Sequence, residues 1–139
     1  MPTSTRLVTE DNVQEALANY YRNQNCSVVR EYSTPVGYID LLVASNSRKL
    51  IIEVKEYSGI KHAIGQILCY KEYIPGYTDL LIITFSKDCK YKKIKPCYAN
   101  NPYHIYIKSI NEIVDTNTLL ATANHHSQEE DILPCITMI

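Results

Sequence analysis

Asp40, Glu53 and Lys55 are the residues whose types and spacing most directly offer chemistry. Gly37-Tyr38-Ile39-Asp40 and Ile51-Ile52-Glu53-Val54-Lys55 both read as strands, and they set two carboxylates and an ammonium among apolar neighbours. A buried carboxylate without a partner is costly, so it is normally held against a cation. Two acids and a lysine in such surroundings point to a divalent metal and an activated water. The alternative is an ordinary cross-strand charge cluster on an amphipathic hairpin. Apolar residues on both faces of the hairpin argue against a solvated surface.

The strands must bring these groups together. Side chains alternate across a strand. Ile39, Leu41 and Val43 then share one face and Tyr38, Asp40 and Leu42 the other; Leu50, Ile52 and Val54 oppose Ile51, Glu53 and Lys55 in the same way. Ser45-Asn46-Ser47-Arg48 is rich in turn formers. With a two-residue turn at Asn46-Ser47, Ser45 faces Arg48 and Asp40 falls opposite Glu53. Directly opposed residues have Cβ atoms about 4.5–5.5 Å apart. Like charges that close favour a cation between them or one raised pKa. A slip of one residue would send the carboxylates to opposite faces.

The surrounding pattern predicts an α/β domain, a mixed sheet of about four to five strands flanked by helices in the order α-β-β-β-α-β-β. Residues 9–23 read as a helix capped by Thr9, with Glu10 and Asp11 in its first turn and Val13, Ala16, Leu17, Tyr20 and Tyr21 as its apolar stripe. Ser27–Tyr32, Tyr38–Ala44 and Leu50–Glu56 read as strands. A second helix covers 60–74, with Ile60, Ala63, Ile64, Ile67 and Leu68 inward. Asp79–Phe85 is nearly continuous in apolar residues, which marks a central strand. His104–Lys108 is a last strand, and 111–121 a short helix. The expected domain is 1–121, with 122–139 as a flexible tail that turns acidic at Gln128, Glu129, Glu130 and Asp131.

Composition narrows the class. A chain of 139 residues with 45% hydrophobic and 21% charged residues suits one globular domain. No apolar run approaches the roughly 20 residues of a membrane span, and the N-terminus lacks the apolar core of a secretory signal. Five cysteines without a CxxC pair fit free thiols in a reducing compartment: cytosol, nucleus or a viral infection setting. Cys89, Cys97 and His104 are too irregularly spaced for a zinc site, and His125-His126 has no partner pattern. Twelve tyrosines stand against one Phe and no Trp, and Tyr packs in cores yet also stacks at binding surfaces. A net charge of −1 is no signature of nucleic-acid binding, but local patches matter more than totals. Lys87, Lys90, Lys92, Lys93 and Lys95 form such a patch, with Tyr91 interleaved and Asp88 as its one acid. It reads either as a solvated loop or as a contact to a nucleic-acid backbone.

Asp40 followed by Glu53-Val54-Lys55 resembles the core motif of the PD-(D/E)XK nuclease superfamily, the restriction-endonuclease-like fold. Ile39 stands where the superfamily's name has proline, and Gly37-Tyr38-Ile39-Asp40 looks like the G-X-X-D variant of RecB-like, VRR-type and junction-resolving members. The resemblance runs from about Glu10 to Phe85 and implies a Mg²⁺- or Mn²⁺-dependent endonuclease acting on phosphodiesters, in DNA rather than RNA. It implies Asp40, Glu53 and the Val54 carbonyl as metal ligands, with Lys55 orienting or deprotonating the water. Many members place a glutamate on the first helix; at about 100° per residue Glu10 lies beside the apolar stripe and Glu15 faces solvent. Glu10 is therefore the candidate, unless it serves only as a first-turn acid. Gln66 and Tyr70, spaced i, i+4 on one helix face with His62 and Tyr73 extending it, resemble the Q-X-X-X-Y motif of RecB-like nucleases. Stand-alone members often act as homodimers, Holliday-junction resolvases among them, although those are typically more basic. Two alternatives remain open: an RNA endonuclease on the same fold, whose usual histidine ahead of the Asp is missing here, and a fold kept only to bind nucleic acid or protein.

Overall fold

The computed structural model describes residues 7–127. Helix α1 (Glu10–Arg22) precedes a meander of three strands, β1 (Ser27–Thr34), β2 (Gly37–Ser45) and β3 (Arg48–Glu56). A 3-10 turn at Tyr57–Gly59 leads into α2 (Ile60–Lys71), then β4 (Thr78–Phe85). The short α3 (Pro96–Ala99), β5 (Tyr106–Ser109), a second 3-10 turn at Ile110–Glu112 and α4 (Thr116–Ser127) complete the order. The sheet runs β1-β2-β3-β4-β5. Its first three strands are antiparallel, and β4 and β5 are added in parallel. This is the mixed, helix-flanked α/β sheet expected. The helix expected at 111–121 is instead a 3-10 turn and α4. That helix continues past residue 121 to Ser127; residues 128–139, where the rest of the expected tail falls, lie outside the described residues.

Local chemistry sets the element ends. Thr9 caps α1 through its side chain, which accepts from the Asn12 N–H, while the Asn12 side chain accepts from the Thr9 N–H. Two otherwise orphaned donors are thereby satisfied. Helix α2 stops at Lys71, short of residue 74, because Tyr73 and Ile74 bond three residues back rather than four. The β2–β3 turn has Ser45 paired with Arg48, and Asn46 takes a φ of 51°. Asn tolerates that conformation, which two-residue hairpin turns require. The expected register is therefore the observed one.

The sheet is covered on both sides. Val13 and Leu17 of α1 and Leu119 of α4 pack with Leu41, Val43, Ile52, Val54, Leu81 and Ile83. Ala63, Ile67 and Tyr70 of α2 pack with Ile51, Leu80 and Ile82 on the other face. Successive β4 residues thus serve opposite cores, which is why its sequence shows no alternation. Two expectations are corrected. Tyr20 is 37% exposed rather than part of the buried stripe, and it meets the Tyr21 ring edge-on at 5.0 Å. Ile39 packs in the α2 cluster rather than with Leu41 and Val43. The alternation of β2 breaks at Asp40, where the pairing on both flanks is interrupted.

No helix among the described residues is long and apolar enough to cross a membrane. Cys26, Cys69, Cys89 and Cys97 are free thiols; Cys135 lies outside the described residues. Ile52 is fully buried and sits in the last β2–β3 pair. Ile52→Ala is expected to cost about 2–5 kcal/mol by urea unfolding, and Val29→Thr, at an exposed site, within about 0.5 kcal/mol.

Candidate active site

Strands β2 and β3 pair from Ser45–Arg48 only as far as Leu41–Ile52. Beyond that point β2 stays with β1 down to Gly37, and β3 stays with β4 up to Glu56. The sheet forks, and Asp40 and Glu53 stand at the crotch. The Val54 N–H, which faces β2, donates to Asp40 Oδ2 at 2.8 Å. The N–H and C=O of one strand residue point to the same neighbour, so the Val54 carbonyl also faces the gap.

The β1 flank is distorted at the same level. The β1–β2 ladder omits the Glu31–Asp40 pair, and Glu31 has a φ of 53°. A left-handed conformation costs an L-residue roughly 1–2 kcal/mol. The compensation comes from α1: the buried Gln14 donates from Nε2 to Glu31 Oε2 at 3.1 Å and accepts from Arg30 Nε at 3.4 Å. Arg30 in turn pairs with Asp11 at 2.7 Å. Consecutive residues Arg30 and Glu31 reach the same glutamine because the left-handed residue cancels the strand's alternation.

The electrostatics show which groups share the fork. Glu53 is 3% exposed. Burial above all, then the Asp40 charge, pushes its carboxyl up to about 8, against a lowering pull from Lys55. Asp40 is pushed up to about 6, also by burial first, with the Val54 N–H opposing the rise. Glu10 and Glu31 raise both carboxyls. Burial raises the Tyr70 phenol, and the charges of Glu53 and Asp40 raise it further. Asp40, Glu53, Lys55, Glu10 and Tyr70 therefore lie within one field, with Glu31 added. Sequence reasoning missed Glu31; an acid in an otherwise ordinary strand gives no signal of a left-handed backbone held by a distant glutamine.

Two glycines make room. A Cβ on Gly37, whose φ is 138°, would stand 3.0 Å from Tyr70 Oη, and one on Gly59 would stand 3.3 Å from Lys55 Cδ. Gln66 and Tyr70 line a cleft of about 370 Å³ with Val36, His62, Gly65 and Cys69. His62 is exposed and Tyr73 is 45% exposed. Glu15, expected toward solvent, is half-buried.

Glu53 Oε1 and Gln66 Oε1 are buried acceptors with no donor, a condition costing about 1–3 kcal/mol each. Mg²⁺ takes one or two carboxylates plus carbonyls and waters, and Asp40, Glu53 and the Val54 carbonyl fit that set. Among the described residues, no group of three or more His, Cys, Asp or Glu is assembled for a metal. The lysines at 87, 90, 92, 93 and 95 are all exposed. Lys87 lies 3.8 Å from Glu56, and the Lys92 ammonium lies over the Tyr57 ring. The loop thus lies beside the end of β3.

In comparison with known proteins, the chain is similar to a "putative KilA-N domain-containing protein" of Acanthamoeba polyphaga mimivirus, at 32% identity over 103 residues. The match covers 74% of this chain and 22% of that protein, so the chain spans about a fifth of its relative's length. No family model matches the chain.

Both fork carboxyls hold protons more readily in the folded protein than in the unfolded chain, where their ordinary values are 3.8 and 4.5. The folded state is favoured at low pH, and this advantage is lost as pH rises through about 8. In EDTA, Glu53→Gln is expected to match the wild-type Tm near pH 4.5 and to exceed it at pH 8. Equal pH profiles for the two proteins would contradict the buried-acid assignment.

Proposed function

We propose that this domain engages nucleic acid, and that its fork is a divalent-metal centre for phosphodiester hydrolysis of the PD-(D/E)XK kind, acting on DNA as an endonuclease. The carrying observation is the buried, donor-less Glu53 oxygen beside Asp40 at the parting of two strands. Asp40, Glu53 and the Val54 carbonyl would hold Mg²⁺ or Mn²⁺, with Glu10 at the margin. When bound, the cation supplies Lewis acidity and a more acidic water. Lys55, one pleat from Glu53 and without an ion pair among the described residues, neutralises phosphate charge and orients the attacking water. Gln66 and Tyr70 offer hydrogen bonds from α2 to a phosphate oxygen or to that water. A homodimer cutting paired strands belongs to the same proposal.

A second reading is binding without cleavage. It is favoured by the lack of three assembled side-chain ligands among the described residues. The resemblance to a fifth of a longer mimivirus protein named for a KilA-N domain favours this second reading, since that name carries no nuclease activity.

Nicking of supercoiled plasmid separates them. Cleavage is expected with Mg²⁺ or Mn²⁺ and not in EDTA. Lys55→Ala is expected to slow it about 10²–10⁴-fold, and Asp40→Asn to abolish it, each with a cooperative unfolding transition retained. Folded protein that cuts neither duplex DNA, four-way junctions nor single-stranded RNA with either metal leaves only the binding reading.

A further inference from the structure

Loop 87–95 is not the freely solvated run that its sequence permits. Its first turn is fixed by Asp88, which accepts from the Lys90 N–H at 3.1 Å and from Ser86 Oγ at 2.7 Å. Cys89, with a φ of 67°, is buried in the α1-side core, and Asn111 Nδ2 donates to its carbonyl at 3.0 Å. The Val8 N–H donates to the Lys87 carbonyl at 2.8 Å. Farther along, Tyr57 Oη accepts from the Lys92 N–H at 2.9 Å and donates to Ser109 Oγ at 2.7 Å, while its ring underlies the Lys92 ammonium at 5.8 Å. Tyr57 follows Lys55 by two residues on the same chain segment. The loop is thereby pinned to the strand that carries the fork.

The loop's charges are also spent unequally. Its one acid, Asp88, is taken up inside the turn, and Lys87 is shared with Glu56. Lys90, Lys93 and Lys95 have no ion pair among the described residues, and Tyr91 between them is 55% exposed. A chain of net charge −1 thus gathers five exposed lysines on one short loop, of which Lys87 and Lys92 line a cleft of about 330 Å³ with Tyr57, Glu56 and Asp88. Several cations so closely spaced along one loop suit a repeating anion rather than a single one, and an exposed tyrosine among them suits a base or a sugar.

We infer that loop 87–95 is a cradle for a nucleic-acid backbone, and that Tyr57 is the positioning residue that sets it relative to the fork. This rests on the nucleic-acid reading above. The cradle does not require the metal, so the two can fail separately.

The test is fluorescence anisotropy in EDTA with a labelled 20-base-pair duplex, a single-stranded RNA of equal length and phosphatidylserine vesicles, each across a series of KCl concentrations. Replacing Lys90, Lys93 and Lys95 with Gln together is expected to lower the duplex salt slope by about 2–3 and the affinity on the order of 100-fold at 0.15 M salt. Tyr57→Phe, which keeps the ring and every charge, is expected to weaken binding while leaving the slope unchanged, a split that general loss of folding would not produce. Thermal unfolding of each variant checks that it remains folded. An unchanged slope in the triple variant, or tighter binding to vesicles than to either nucleic acid, would overturn the inference. Preference for the duplex or for RNA identifies the strand type that the cradle takes.

Discussion

One hydrogen bond turns a sheet into a cleft. If the β2–β3 ladder continued past Leu41–Ile52, its next bonded pair would be Ile39 with Val54. Instead, the Asp40 carboxylate takes the Val54 N–H. The strands part there, the Val54 carbonyl is left facing the gap, and Glu53 is buried beside a second acid. The interior positions on either side are held by the two cores, so the fork cannot close by moving either strand alone. Its cost is visible in the raised carboxyls and in two acceptors without donors. A folded protein retains such a defect only where the surrounding structure imposes it, and defects of this kind cluster at functional sites.

Charge is segregated around this defect. Glu10, Glu31, Asp40 and Glu53 gather at the fork, opposed by Lys55, while Lys90, Lys93 and Lys95, without an ion pair among the described residues, stand in the loop beyond β3. The net charge of −1 thus conceals local patches of opposite sign. That division is the one that the proposed metal centre and backbone cradle would require.

Much of this was legible in the sequence because it is local. The turn residues Asn46-Ser47 fix the hairpin register, and the register fixes Asp40 opposite Glu53. Thr9 and the first-turn acids fix where α1 begins, which places Glu10. The apolar run of β4 reports its burial on two faces. The rest depends on contacts distant in sequence. Glu31 turns left-handed because Gln14 holds it, and Ile39 changes face because the ladder stops beside it. Tyr57 gains its role from Lys92 and Ser109, neither of which its own neighbourhood announces. Helix α3 was missed although Pro96 stands at its start, because four residues are too few to show an apolar stripe.

Binding of a divalent cation at the fork is read out by titration calorimetry with Mn²⁺ at pH 7, in two buffers of different ionisation enthalpy. Burial and the Asp40 charge raise the Glu53 carboxyl, so it holds a proton more readily than a free carboxyl and a bound metal displaces it. Saturable binding with net proton release, lost in Asp40→Asn, is expected. The absence of saturable binding, or binding unchanged in Asp40→Asn, would contradict the metal-centre proposal.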